Sequence, residues 1–206
     1  CRWSRVLRGC PVTARPPPGQ DRAMVDPILT EIEQRLWQEL VAAATLRGHA
    51  WRTATLATVR PDGTPDARTV VLREVDPAER RLVFYTDTRS PKVAQIAQRP
   101  EGVVVLWSPA LGWQLRLRVA LEVQRGGLAV LSRWAKVKMT PGVFDYLSPV
   151  PPGSPLERPA PERGDREHFG LIEARVTELD WLDLNTEGQR RARFGPDRHQ
   201  ATWLAP

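Results

Sequence analysis

The sequence predicts a mainly β, α+β fold, a closed barrel of short antiparallel strands with helices at its periphery. Three observations carry this reading. Apolar residues alternate with period two through most of the chain, the connections are short and rich in turn residues, and only three stretches show the three- and four-residue spacing of a helix.

The first element is helical. Asp26-Pro27 reads as an N-cap followed by proline at the first helical position, and Gly48 as a stop. Between them Leu29, Ile32, Leu36, Leu40 and Ala43 form one apolar stripe, which must lie on a sheet. From Thr53 to Val59 the period changes to two, and the turn signal Pro61-Asp62-Gly63 ends the run. A second strand, Ala67 to Arg73, a polar turn from Asp76 to Arg80 and a third strand, Arg81 to Thr86, complete an antiparallel meander.

Ser90-Pro91-Lys92 repeats the cap-then-proline signature, and Val93, Ile96 and Ala97 give the short helix that follows its apolar face. Two more strands, Gly102 to Trp107 and Trp113 to Val123, come next, the latter alternating cleanly so that one face is inside and the other wet or at an interface. Leu128 to Val137 reads as a third helix. Residues 140–167 carry seven prolines and little periodicity, which marks a long functional or mobile loop. Strands from His168 to Leu184 and from Ala201 to Leu204 close the chain, with residues 188–195 between them.

Composition narrows the chemistry. With 206 residues, 41% hydrophobic and 26% charged, the chain can bury one substantial core. Residues 1–23 hold five arginines against one aspartate, +4 of the net charge of +6, so the basic character belongs largely to the leader. This removes most of the case for a nucleic-acid partner. The leader is expected to be disordered or non-native, with Met24 the functional start and residues 24–206 one domain. Every apolar run is interrupted by charged or amide residues, so no membrane span is expected, and the expected location is cytoplasmic.

Both cysteines, Cys1 and Cys10, fall in the leader. The body therefore has no thiol for a disulfide, a zinc site or a nucleophile. His49, His168 and His199 are scattered, with none at metal-ligand spacing, so no metal is expected. The tryptophans at 107, 113, 134, 181 and 203 read as core or interface packing. The catalytic chemistry is expected from a bound cofactor, and no residue stands out as a general acid or base.

The informative region runs from Arg68 to Lys92. A phosphate dianion favours a helix N-terminus, where free N–H groups and the positive end of the dipole converge, and Ser90-Pro91-Lys92 presents one. Lys92 is one of only three lysines against 27 arginines. Arg68, on a strand beside the one ending in Tyr85-Thr86, is placed to fork the same phosphate. Thr86 and Ser90 add hydroxyls. The backbone of Thr69, Val70, Val71 and Leu72 suits the edge and face of a flat ring, and Gln114 could bond the same edge.

Two segments, Arg68-Thr69-Val70-Val71-Leu72-Arg73 and Phe84-Tyr85-Thr86-Asp87-Thr88-Arg89-Ser90-Pro91-Lys92, resemble the flavin mononucleotide (FMN) signatures of the pyridoxamine 5′-phosphate oxidase-like family. The order of elements from about Asp26 to Pro206 is similar, and Trp203-Leu204-Ala205-Pro206 resembles the family's ending. The resemblance implies an FMN-binding split β-barrel, a homodimer with FMN at the subunit interface, and oxidoreductase chemistry on a small molecule. It gives the phosphate to Arg68 and Lys92 with Tyr85, Thr86 and Ser90, the ring to residues 69–72, and further cofactor contacts to Arg73, Gln114 and Arg193.

The departures are specific. Residues 188–194 contain no histidine where true pyridoxamine phosphate oxidases have an Arg-x-His pair for their substrate. Arg73 stands where the family has lysine, and Pro91 where it has arginine. The resemblance is therefore to the uncharacterised branch, and a non-catalytic module binding flavin, haem or a deazaflavin is the alternative.

Overall fold

The computed structural model describes residues 26–157, 164, 167–185, 188–197 and 200–206. The leader and His199 lie outside them. Helix α1 spans Pro27–Thr45, with the Asp26 carboxylate accepting from the Ile28 amide at 2.9 Å. It ends three residues before Gly48, because Leu46 is already extended and closes the last turn through its own N–H. Leu29, Leu36, Leu40 and Ala43 of the predicted stripe are buried, joined by Trp37.

Strands β1 (Thr53–Val59), β2 (Pro65–Asp76) and β3 (Arg81–Asp87) form the meander, followed by α2 (Pro91–Gln98), β4 (Glu101–Ser108), β5 (Trp113–Gln124), α3 (Leu128–Lys138), β6 (Phe169–Asp183), β7 (Arg190–Phe194) and β8 (Ala201–Leu204). The sheet order is β3-β2-β1-β4-β5-β6-β7-β8, and β3 also pairs with β6. That pairing closes six antiparallel strands into a barrel, while β7 and β8 continue the sheet from the far half of β6. Closure removes the exposed edges that an open sheet of such strands would present.

The core follows from the alternation. Leu56, Val104, Leu117, Leu179 and Phe194 are cross-strand neighbours in one row and all are buried. Each such side chain contributes about 1.5–3 kcal/mol by leaving water. Arg68 pairs with Leu56 and so forms the polar end of this inward row. Gly102 is needed where β4 crosses the barrel end: an added Cβ would stand 2.6 Å from Leu121 Cδ1 and 2.9 Å from the Ala57 carbonyl oxygen. Gly102→Ala is expected to destabilise by about 1–3 kcal/mol, read as a lower Tm.

Three expectations are corrected. The second strand continues past Arg73 to Asp76, with a register shift between Leu72 and Glu74. The Asp76 carboxylate then starts the turn by accepting from the Ala78 and Glu79 amides. Within the proline-rich segment, Pro141–Tyr146 forms a 3-10 helix. It is held by packing rather than by periodicity: Tyr146, Trp134 of α3 and Phe169 of β6 stack within 5.1–6.0 Å in a second, smaller core outside the barrel wall. This core explains why Val83 of β3 is buried although its neighbours Leu82 and Phe84 already face the barrel interior. Residues 190–194 form a further strand, in which Arg191 is tied to Asp180.

Of the tryptophans, Trp113, Trp134 and Trp181 are core, as expected, whereas Trp107 and Trp203 remain substantially exposed. Among the described residues no helix is long and apolar enough to cross a membrane, and no cluster of His, Cys, Asp and Glu suits a metal.

Candidate cofactor site

The N-terminus of α2 behaves as the proline signature predicts, but its cap is redirected. Ser90 has extended cap geometry and is 5% exposed, and its hydroxyl makes no cap bond to the helix. Instead Ser90 Oγ accepts from Lys92 Nζ at 2.7 Å. Burial and then the neighbouring Arg68 charge hold the Lys92 pKa below its ordinary value, opposed by Asp87. Among the described residues no ion pair joins Lys92 to a carboxylate, while Asp87 is occupied by Arg89 at 2.7 Å. Two cations therefore stand close together at the positive end of a helix, which is the electrostatic condition for holding an anion.

Arg68 does not offer the free fork expected from its sequence. Nη1 donates to the Leu56 carbonyl at 3.1 Å and to Thr58 Oγ1 at 2.6 Å, and Nη2 donates to Asp66 Oδ2 at 2.7 Å and to Gln95 Oε1 at 2.9 Å. All four Nη protons are spoken for, leaving Nε–H toward a ligand. Thr58, Asp66 and Gln95 were missed by the sequence reading. Their signal was parity: Thr58 follows Ala54 and Leu56 on the inward face of β1, and Asp66 shares the inward face of β2 with Arg68.

The remaining candidates divide by face. Thr86 is buried at the end of β3, its hydroxyl donating to the Asp87 carbonyl. Tyr85 faces the second core, where it packs edge-on against Phe169, donates to Glu74 at 3.3 Å and lies under the Arg73 guanidinium. Glu74 is in turn gripped by Arg133 at 2.6 and 2.7 Å. Arg89 links this region to the proline-rich loop by donating to the Ser148 and Pro149 carbonyls. Val70 and Leu72 point into the core, so residues 69–72 offer a ligand their backbone and the outward Thr69 and Val71.

Gln114 and Arg193 are on the outer face and far from Arg68 within one chain. Thr69, Thr55, Val105, Arg116, Asp180 and Arg193 are successive cross-strand partners, so Arg193 lies five strands from Thr69. On the curved barrel wall that is an arc of about 24 Å at roughly 4.8 Å per strand, longer than the straight separation. Gln114, beside Trp107, lies three strands from β2. The chain thus assembles Arg68, Ser90 and Lys92 at one place and leaves Gln114 and Arg193 elsewhere.

A closed six-stranded antiparallel barrel with helices at its periphery defines a split-barrel protein. The family model "Pyridoxamine 5′-phosphate oxidase, FMN-binding domain" matches residues 34–125. A pyridoxine/pyridoxamine 5′-phosphate oxidase of Gloeothece citriformis is 41% identical over 92 residues, 44% of this chain and 41% of that protein. The chain thus matches about two fifths of this curated relative's length. Among solved structures, a pyridoxamine 5′-phosphate oxidase-related, FMN-binding protein from Nostoc punctiforme superposes with a TM-score of 0.65 at 24% identity, covering 89% of this chain and 100% of that one. PhzG from Burkholderia lata, in complex with tetrahydrophenazine-1-carboxylic acid, gives 0.64 at 18% identity, covering 90% and 95%. Both structural likenesses speak to the fold. Residues 34–125 are thus similar to the FMN-binding domain of the pyridoxamine 5′-phosphate oxidase family, and the described residues take the split-barrel fold.

Proposed function

We propose that this chain is a cytoplasmic FMN-dependent oxidoreductase that works as a homodimer on a small molecule. The observation that carries the reading is Lys92, a partly buried cation beside Arg68 at the start of α2 with no carboxylate ion pair among the described residues. The FMN phosphate would meet Lys92, Ser90 and the helix N–H groups, with Arg68 Nε alongside. The ring would run along the backbone of residues 69–72, and Gln114 and Arg193 would reach it from the second subunit, which their distance within one chain favours.

When bound, the flavin would supply the hydride chemistry, and the protein orients it and limits access. The substrate of the curated relatives does not carry over, because β7 has no histidine and its Arg191 is engaged by Asp180 at 2.8 Å. The purified protein is expected to be yellow, or to become so on adding FMN, with FMN bound more tightly than riboflavin. A colourless protein that takes up no flavin would remove the reading. Anaerobic reduction of the bound flavin by NADPH or by a panel of small substrates separates an enzyme from a flavin carrier.

A further inference from the structure

Thr58, Asp66, Arg68 and Gln95 close a ring of hydrogen bonds in which each donor and acceptor role is forced. Arginine can only donate, so Gln95 must turn Oε1 toward Arg68 Nη2, at 2.9 Å. The same Oε1 accepts from Thr58 Oγ1 at 2.6 Å. Gln95 Nε2 then has to face Asp66 Oδ2, at 2.8 Å, and that oxygen also accepts from Arg68 Nη2 at 2.7 Å. Oδ2 thus accepts from two donors and Oδ1 stands 3.6 Å from Arg60 Nη2, a setting that favours the carboxylate. The hydrogen bond from Gln95, reinforced by Arg68 and Arg60, holds its pKa below the usual value.

The ring spans three elements. Thr58 is on β1, Asp66 and Arg68 are on β2, and Gln95 is one helical turn beyond Lys92 on α2. Val93 and Ile96 also seat α2 on the barrel, but apolar contact alone leaves a helix free to slide and turn slightly. The ring supplies direction. The Arg68 charge acts on Lys92, and the Asp66 carboxylate takes Arg68 through Nη2 rather than Nε.

We propose that Asp66 and Gln95 are positioning residues for phosphate recognition, the ring they close with Thr58 and Arg68 fixing the start of α2 and Lys92 against the Arg68 charge. This rests on the FMN reading above. Arg68 then contributes geometry, one Nε–H and a charge half-offset by Asp66, while Lys92 contributes the uncompensated charge.

The test uses the full chain with FMN and riboflavin, which share the ring and differ in the phosphate. Asp66→Ala removes the oxygen that accepts from both Arg68 Nη2 and Gln95 Nε2. FMN affinity is expected to fall about tenfold and riboflavin affinity by less than about twofold, the size of one lost charge-assisted hydrogen bond. Asp66→Asn keeps one acceptor oxygen, which can take the place of Oδ2 for both donors with its NH2 group at the other position. This conservative variant should recover most of the FMN affinity. An Asp66→Ala protein with the wild-type ratio of FMN to riboflavin affinity overturns the inference and leaves the FMN reading standing. Equal loss of both ligands with no recovery in Asp66→Asn also overturns it, because the ring would then serve only folding. A wild-type protein that binds FMN no better than riboflavin removes both.

Discussion

Lys92→Met is expected to weaken FMN binding by about two orders of magnitude while melting no lower than the wild type. A charge-assisted bond to phosphate at a partly dry helix end is worth about 1.5–3 kcal/mol, and the loss of net charge adds to it. Most binding-site lysines would make no such promise about stability. Lys92 does because it is held partly buried beside Arg68 without an ion pair among the described residues, so in the absence of an anion its charge is a burden on the fold. Methionine keeps the stem that packs there and removes the charge. The phosphate-free ligand riboflavin should bind the variant as it binds the wild type.

The sign of the pH dependence follows. Lys92 titrates lower in the folded chain than its ordinary 10.5, so between those two values the unfolded state binds more protons and stability rises with pH. Below the window the folded protein carries the whole burden. Melting curves without flavin should therefore favour Lys92→Met at neutral pH, and the gap should narrow as the pH approaches 10.5. With FMN bound, the dianion restores the lysine's charge and the order reverses. A variant that melts well below the wild type without flavin would mean Lys92 is paired in a way that this arrangement lacks. Arg68→Ala gives the contrast: it strips Thr58, Asp66 and Gln95 of their shared donor, so FMN affinity and Tm should fall together.

What could be read in advance was local. The Asp26-Pro27 cap, the Pro61-Asp62-Gly63 turn and the Ser90-Pro91-Lys92 helix start each depend on residues within a few positions, and each stands where the pattern put it. The two spaced signatures likewise brought Arg68 and Lys92 together, because strand pairing and helix start were both legible. The orientation of Arg68 was not legible. It depends on Gln95, 37 residues from Thr58, and a sequence shows that Arg68 is inward only once the register of β1 and β2 is known. The 3-10 helix at Pro141–Tyr146 escaped for a related reason, since Tyr146 is held by Trp134 and Phe169 rather than by a repeat of its own. Residues whose role is set by distant packing carry no periodic mark.

Trp107→Asp is expected to convert the proposed dimer into a monomer and to abolish FMN retention, without unfolding the barrel. The outer face of β1, β2 and β4 carries Ala57, Val71, Val103, Val105 and Trp107, with Trp107 45% exposed. Antiparallel sheets that face water on one side normally present polar residues there. Across β5, β6 and β7 the same face does so, with Arg116 and Arg191 closing on Asp180. The apolar half is thus the part that a second copy would cover, and a stable interface needs about 800 Å² from each partner. Gln114 sits beside Trp107 and so borders this same face.

An aspartate at position 107 would bury an unpaired carboxylate in such an interface, a change that costs several kcal/mol in association. It removes nothing from the barrel core, because the Trp107 side chain lies outside it, so far-UV circular dichroism should stay as in the wild type. Light scattering after size exclusion gives the mass, and an FMN titration on the same fractions gives the affinity. A monomer that still binds FMN as tightly as the wild type would show that one chain holds the whole site and that Gln114 and Arg193 have no part in it. Loss of both together ties flavin retention to the second subunit, and with it the reason this face is left apolar.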